Sequence, residues 1–221
     1  YQNEQIPTVV SEIYVWDTPD SYATSSTSSA LNSFRSFRSS YNGDLAHLVS
    51  RGAPTGGGIA WVDVLCTSFG YAYSYIYSSY NDLPAYSWSV NVLTHEMGHN
   101  LGSRHTHDCA WTVNGVPDQA IDGCGTAAGA GGGPCSAGPI PASGTIMSYC
   151  HLIPGVGIDL SLGFGPIPGD LIRSRVQNAG CLSTCSSGCD LEVNTNHTNN
   201  SCFGESSGMA TATGAGGDPP Y

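Results

Sequence analysis

The chain has 221 residues, enough for one full domain with an appendage or for one large domain. The chain has six cationic side chains, all arginine, and 17 acidic ones, so the formal net charge is −11. Nucleic acid and anionic lipid surfaces are therefore poor partners. No apolar stretch approaches membrane-spanning length, so no membrane insertion is expected.

Nine cysteines without a C-x-x-C pair indicate disulfides and an oxidising, extracellular compartment. Their wide and irregular spacing argues against structural zinc. An odd number leaves one cysteine free or paired outside this chain. The acidity leaves Ca²⁺ binding open as a further expectation, although no D-x-D-x-D-G loop is visible.

The first third of the chain predicts two strands and a helix. Residues 6–16 mix β-branched and apolar side chains and predict a strand. After a Ser/Thr-rich loop at 21–29, Ser28 or Ser29 is expected to cap a helix with Leu31, Phe34 and Phe37 at helical spacing. Residues 44–50 predict a buried strand, in which His47 is expected to be structural.

Glycines lead into a further strand at residues 56–66. A neighbouring strand is predicted from alternating tyrosines, which would share one face: Tyr71, Tyr73, Tyr75 and Tyr77. Pro84 breaks this run, and a helix is expected to begin near Ser87 or Ser89.

Residues 95–105 read H-E-x-x-H-x-x-G-x-x-H. His95 and His99 lie four apart, so a helix presents both imidazoles on one face to one metal ion. Glu96 is placed to act as general base on a water molecule. Gly102 suits the left-handed residue that ends a helix, after which His105 is delivered as third ligand. Three protein ligands leave one position open, which is typical of catalytic zinc.

A lone H-E-x-x-H also occurs by chance, and two buried histidines can be ordinary core residues. The glycine and third histidine at the required spacing argue against chance. A second motif, Gly-Thr-Ile-Met-Ser-Tyr at 144–149, follows about forty residues later. Together the two motifs resemble the zinc signature and Met-turn of the metzincin metallopeptidases, in which Met147 would pack beneath the zinc. Ordinary core filling is the alternative for Met147 alone.

The resemblance covers residues 6–184 and is nearest to the adamalysin/reprolysin branch, of bacterial type. It implies an α+β fold: a twisted, five-stranded and mostly parallel sheet with an antiparallel edge strand, an active-site helix and an irregular C-terminal lobe. Thr106 departs from the aspartate that adamalysins have there. The stretch before His95 is about fifty residues short of the adamalysin pattern. The first strand and first long helix are therefore expected to be absent, as in an internal fragment.

The same resemblance assigns substrate-binding residues. The 56–66 segment resembles the edge strand along the cleft, where a peptide would pair as an antiparallel strand; a plain core strand is the alternative. The residues concerned are Gly58, Ile59, Ala60, Trp61 and Val62. Residues 150–157 would form the outer wall of the S1′ pocket, beginning with Cys150, His151 and Leu152. Tyr149 stands where astacins, serralysins and pappalysins have a tyrosine beside the zinc, which implies a zinc ligand or an oxyanion donor; a packed turn residue is the alternative.

Three further expectations concern the segments around these motifs. His107 is assigned to a supporting or surface position. Residues 123–138 predict a loop tied by a Cys124–Cys135 bridge. Residues 169–179 predict a closing helix, which Cys181 would clamp to the lower lobe.

A composition break near Cys185 divides the chain into residues 1–185, the catalytic domain, and residues 186–221. The second part resembles the start of a β-sandwich repeat of surface adhesins in gliding bacteria; a disordered tail is the alternative. The chain is thus interpreted as a secreted, monomeric Zn²⁺ endopeptidase acting on proteins or peptides, part of a larger secreted or cell-surface protein. An adhesion module with a metzincin scaffold and hydrolysis of a non-protein amide remain rival hypotheses.

Overall fold

The fold was analysed in a computed structural model that describes residues 1–16, 20, 22–182, 192–198 and 209–215. The chain divides into two compact units, Tyr1–Leu182 and Ser183–Tyr221. Each unit is described by itself. In the described part of the chain, no helix is both long and apolar enough to cross a bilayer.

A short 3-10 helix, Gln2–Glu4, opens the first unit, and helix α1 spans Thr27–Phe37. Its N-cap is Ser26, whose hydroxyl accepts a hydrogen bond from the Ser29 amide at 3.1 Å. The predicted cap at Ser28 or Ser29 is therefore wrong by two or three residues, because both lie in the first helical turn. The predicted apolar face is buried at Leu31 and Phe34, whereas Phe37 is exposed.

The sheet of this unit has three strands, β1 (Ala46–Ser50), β2 (Gly58–Ala60) and β3 (Tyr71–Tyr75), in the order β1-β3-β2. Strands β1 and β3 are parallel, and β2 pairs antiparallel with β3. The segment at 56–66 thus contributes an antiparallel edge strand of three residues. The predicted five-stranded sheet is wrong for the part of the chain that the structure describes.

The strand predicted at residues 6–16 does not form. Its apolar side chains Val9, Val10, Ile13 and Val15 are between 50% and 79% exposed. β-branched residues favour a strand only where a neighbouring strand supplies hydrogen bonds and packing, and here none does. Local composition therefore misled the prediction.

Strand β3 is central and buried on both faces, from Tyr71 to Ser74. Tyr71 and Tyr73 pack with α1 and Leu48 in one apolar cluster. On the other face, the Ser74 hydroxyl lies 2.8 Å from Nε2 of His47, which accordingly has a structural contact. Tyr77 lies beyond the strand, so the tyrosine face is shorter than predicted.

Helix α2 spans Trp88–Asn100, which agrees with the predicted start near Ser87 or Ser89, and its N-cap position is Ser87. It ends at Leu101, and Gly102 follows with φ of +100°. That left-handed conformation is the reason a glycine is required here. The chain can then reverse directly after the helix.

The second half of the unit has little regular structure. It contains the hairpin β4 (Trp111–Val113) and β5 (Val116–Gln119), the short helix α3 (Cys124–Ala127) and 3-10 turns at Cys150–Leu152 and Leu160–Leu162. Helix α4, Pro166–Gln177, closes the unit, close to the prediction of 169–179. The apolar core of this half of the unit is centred on Met147, Phe164 and Ile172.

Three disulfides join this unit: Cys66–Cys181, Cys109–Cys135 and Cys124–Cys150. The predicted Cys124–Cys135 bridge is wrong. Cys181 does clamp the chain after α4, but to Cys66 beyond the edge strand rather than to the lower lobe. Pairing depends on chain reversals that cysteine spacing does not reveal.

The second unit contains the antiparallel pair β6 (Glu192–Thr198) and β7 (Met209–Ala215). The composition break near Cys185 lies outside the described residues, as do Cys189 and Cys202. The pair fits the β-rich interpretation of residues 186–221 without identifying a repeat.

Candidate active site

Helix α2 and the turn after it bring three imidazoles together. His95 and His99 lie on one face of α2, with ring centroids 4.8 Å apart. After Gly102 the chain returns His105, whose Nε2 lies 3.1 Å from Nε2 of His99. One nitrogen from each of the three rings lies within 4.8 Å of the other two. This convergence is what a single shared ion requires.

Backbone carbonyl groups fix the orientation of two of the imidazole rings. Nδ1 of His95 lies 2.7 Å from the carbonyl oxygen of Ile146, and Nδ1 of His99 lies 2.7 Å from that of Ser103. A protonated Nδ1 that donates to a carbonyl leaves Nε2 with a free lone pair. Both Nε2 atoms are thus prepared as ligands. The rings fit a divalent metal.

Burial also keeps these histidines in the form that binds metal. It lowers the pKa of His95 to about 3, with the charge of His99 contributing next. It lowers the pKa of His105 to about 2, again with help from the neighbouring imidazoles. Neutral imidazole is the ligand form, so the site favours an ion over protons near neutral pH.

Glu96 is 5% exposed, and burial raises its pKa to about 8. It faces Gly58 of the edge strand so closely that a Cβ on Gly58 would lie 2.5 Å from Glu96 Cγ and Oε1. The absence of a side chain at position 58 therefore leaves room for the carboxyl group. Glycine in a strand often marks such a close approach.

The 144–149 turn lies beneath α2. The carbonyl of Ile146 faces His95, and Met147 is fully buried. A Cβ on Gly98 would lie 2.7 Å from Met147 Sδ, so the glycine allows the turn to approach the helix. Tyr149 follows, with its ring centroid 4.7 Å from that of His105. Burial raises the pKa of its hydroxyl, and the nearby Glu96 adds to this effect.

A cavity of about 280 Å³ opens over these groups. Its lining includes ten residues, namely Gly58, Ile59, Ala60, Val62, Glu96, His99, Arg104, His105, Asp108 and Tyr149. The edge strand and the histidine site thus share one cleft, as the sequence predicted.

Four residues predicted to bind substrate do not line this cavity. Trp61 packs against Phe69, with ring centroids 5.2 Å apart. Cys150 is fully buried in its disulfide, so the prediction of a substrate-facing side chain there is wrong. His151 and Leu152 follow in a 3-10 turn outside the lining.

Sequence reasoning missed Arg104 and Asp108, which flank the third histidine. The backbone amide of His105 donates to Asp108 Oδ2 at 3.1 Å, and the same oxygen lies 3.7 Å from Nδ1 of His105. A carboxylate behind a ligand histidine is a common supporting group. The sequence signal that could have identified Arg104 and Asp108 is that both are charged and lie within three positions of His105 in the motif.

His107 is 3% exposed and lies face to face with His105, with centroids 5.0 Å apart and an interplanar angle of 7°. A Cβ on Gly125 would lie 2.2 Å from the His107 ring, which shows how tightly this ring is enclosed. His107 thus supports the site rather than lying on the surface.

This combination of a three-histidine group, an adjacent glutamate and a cleft bounded by an edge strand defines a metallopeptidase site. The family model Reprolysin_5, described as Metallo-peptidase family M12, matches residues 1–152, more than two thirds of the chain. The chain belongs to this metallopeptidase family. The family implies a zinc cofactor, which the three imidazoles fit. No curated protein matches the chain.

Proposed function

We propose that this protein is a secreted zinc endopeptidase that hydrolyses peptide bonds with Glu96 as general base. The observation that carries the proposal is the convergence of His95, His99 and His105 beside a buried glutamate in an open cleft. The three disulfides fit an oxidising, extracellular compartment. A monomer within a larger bacterial surface or secreted protein is the assembly we infer.

The three imidazoles would hold the zinc through one nitrogen each, and Met147 would form the floor beneath them. Zinc in such a site acts as a Lewis acid on a carbonyl and acidifies water. Calcium has no comparable support, since the acidic side chains form no group of three carboxylates in the part of the chain that the structure describes.

Glu96 holds the attacking water and accepts its proton as the water oxygen bonds to the scissile carbonyl carbon. When the carbon–nitrogen bond breaks, Glu96 returns that proton to the leaving amine nitrogen. Burial supports this role, because the raised pKa of Glu96 favours proton acceptance and release near neutral pH.

Tyr149 would donate a hydrogen bond from its hydroxyl to the carbonyl oxygen as negative charge develops there. Its ring lines the cavity beside His105, with the two ring centroids 4.7 Å apart. An interaction that strengthens only in the transition state raises kcat. We therefore expect Tyr149→Phe to lower kcat far more than KM; equal turnover would remove this role.

The substrate would lie extended along β2. Among the described residues this strand pairs with β3 alone, so its other edge has backbone groups available to a peptide. Ile59, Ala60 and Val62 line the cavity beside it. A peptide paired antiparallel there would bind through main-chain hydrogen bonds, with side chains read in pockets.

The test compares wild type with Glu96→Ala on casein, with and without a chelator, while bound zinc is quantified. We expect the variant to keep one zinc per chain and lose about 10²–10⁴-fold in proteolysis, the range typical of general acid–base catalysis. Retained proteolysis in Glu96→Ala would refute the mechanism. An inactive wild type that binds zinc would favour the adhesion scaffold, and activity confined to non-peptide amides would favour the other rival.

A further inference from the structure

Arg104 is a cation at the active-site cleft, and it has no acidic partner among the residues that the structure describes. It directly precedes His105, is exposed, and lines the cavity together with Val62 and Asp108. In the described part of the chain, no carboxylate oxygen lies within 4.0 Å of its guanidinium group. Asp108 shares the cavity but accepts a hydrogen bond from the His105 amide instead.

Most other arginines are engaged. Arg38 pairs with Glu12 at 2.6 Å and Arg175 with Asp63 at 2.8 Å, while Arg173 pairs with Glu4 and Asp170. Arg35 lies 3.9 Å above the ring of Phe69 and donates to the Ser68 carbonyl. Arg51 is the remaining arginine, and it is exposed outside the cavity. Arg104 is therefore the arginine that lines the cavity and has no carboxylate partner among the described residues.

The direction of β2 shows which part of a peptide Arg104 would meet. The beginning of the strand, at Gly58, lies against Glu96, so bond cleavage occurs at that end. The chain then continues past Ala60 to Val62 and Asp63, and a Cβ on Gly102, two residues before Arg104, would lie 3.1 Å from Asp63 Oδ1. An antiparallel peptide runs the opposite way, so its residues near Val62 precede the scissile bond. Arg104 lines the cavity and follows this turn, so it would meet the N-terminal side of the substrate.

A guanidinium group recognises a carboxylate with two parallel hydrogen bonds, more specifically than an ammonium group does. The chain as a whole carries a net charge of −11 and repels acidic peptides at a distance. A single cation in the cleft offsets that repulsion locally. It also provides a polar contact in a lining that is otherwise mostly apolar or committed to the histidine site.

We propose that Arg104 makes this enzyme prefer peptides with an aspartate or glutamate two to four residues before the scissile bond. The proposal rests on the peptidase function proposed above. It concerns which peptides are cleaved, whereas the histidines and Glu96 determine whether peptides are cleaved at all.

The test begins with a neutral peptide whose cleavage site is located by mass spectrometry. Peptides with Glu, Gln or Lys at the second, third and fourth positions before that bond are then compared by kcat/KM. For wild type we expect the Glu peptide to exceed the Gln peptide by about fivefold at the best position, the size of an exposed charge pair. The preference should weaken as salt is added.

Three variants sharpen the test. Arg104→Gln should reduce the Glu/Gln ratio to about one, and Arg104→Glu should favour the Lys peptide, since the sign of the charge is reversed. Arg51→Gln removes the same charge outside the cavity and should keep the wild-type ratio.

An unchanged ratio in Arg104→Gln would overturn the proposal. So would an equal loss in Arg51→Gln, because the effect would then follow net charge rather than position. A wild type that cleaves no peptide would overturn the proposed function and this inference with it. Peptide cleavage without a Glu preference would overturn the inference alone.

Discussion

The two sides of the catalytic unit are held together by different means. On the sheet side, α1 and strands β1–β3 pack through apolar and aromatic side chains, with Phe34 edge-to-face on Tyr71 at 5.4 Å. On the turn side, residues 101–182 have short elements apart from helix α4, and they contribute at least one cysteine to each of the three disulfides. Packing stabilises the first side, and covalent links supplement packing in the second.

The active site lies where these two sides meet. Gly58 approaches Glu96 from the sheet side, whereas His105 and Tyr149 come from the turn side. Helix α2 carries the first two histidines between them. Catalytic geometry therefore depends on two sides that are stabilised in different ways. Substitutions can perturb one side at a time, and their effects on zinc binding and activity can be compared.

The largest expected effect comes from the Cys124–Cys150 bridge. The double variant Cys124→Ala/Cys150→Ala should lose about 3.5 kcal/mol of unfolding free energy. This is the loop entropy that a bridge across a 26-residue separation removes from the unfolded chain. Zinc affinity should also fall, because Cys150 directly follows Tyr149 in the turn beneath α2. Urea unfolding and zinc titration measure the two effects.

The Cys109–Cys135 bridge is a matched control, since it also spans 26 residues. Cys109→Ala/Cys135→Ala should lose a similar unfolding free energy and keep more of the zinc affinity. Equal losses of zinc affinity in both double variants would show that the 144–149 turn needs no particular bridge.

Gly58→Ala tests the sheet side at the site itself. The new Cβ would lie 2.5 Å from Glu96 Cγ, so the carboxyl group must move. A displacement of about 1 Å costs on the order of a hundredfold in kcat/KM, or about 2.7 kcal/mol. Zinc content should be unchanged. Gly52→Ala, whose Cβ meets nothing closer than the Ser50 hydroxyl at 3.8 Å, should keep full activity; equal losses in both would contradict this account.

His47 makes the sheet side sensitive to acid. Burial lowers its pKa to about 4, whereas an unfolded histidine has a pKa of about 6.5. Between these values the unfolded chain binds the extra proton, so stability falls as pH falls from about 6.5 toward 4. When the pH falls from 7 to 5, wild type should therefore lose about 2 kcal/mol more unfolding free energy than His47→Gln does.

The measurement is urea unfolding of wild type and His47→Gln at both pH values, with metal-free protein in each case. Metal-free samples separate His47 from proton competition at the zinc ligands. Parallel pH dependence in the two proteins would show that His47 is not the cause.

The smallest effect is expected from Phe34→Leu. The substitution keeps an apolar side chain but loses ring contacts with Tyr71 and Tyr22, worth about 1 kcal/mol of unfolding free energy. Zinc affinity should not change, since Phe34 belongs to the cluster away from the histidines. A fall in zinc affinity would mean that the two sides are coupled more strongly than the packing indicates.

The sequence predicted that His95, His99 and His105 converge, because the signals for this arrangement are local. Four-residue spacing on a helix, a left-handed glycine at 102 and a cap at Ser87 each follow from short-range geometry. Even the edge strand could be located from its leading glycines. The arrangement of the three histidines could be predicted without knowledge of distant residues, apart from the Ile146 carbonyl behind His95.

The remaining features depend on distant parts of the chain. Which cysteine meets Cys124 follows from the path between residues 101 and 150, which has few regular elements to predict. Residues 6–16 have strand composition but no strand beside them. Arg104 could be seen in the sequence, yet only the structure shows that no described carboxylate pairs with it and that it lines the cleft.

X-ray absorption at the zinc edge, on protein loaded with one equivalent of Zn²⁺, tests the central claim most directly. We predict three imidazole nitrogens and additional oxygen ligands around a single zinc, with one imidazole fewer in His105→Ala. Sulfur in the coordination shell, or an unchanged spectrum in His105→Ala, would contradict the assignment of His95, His99 and His105 as the metal site.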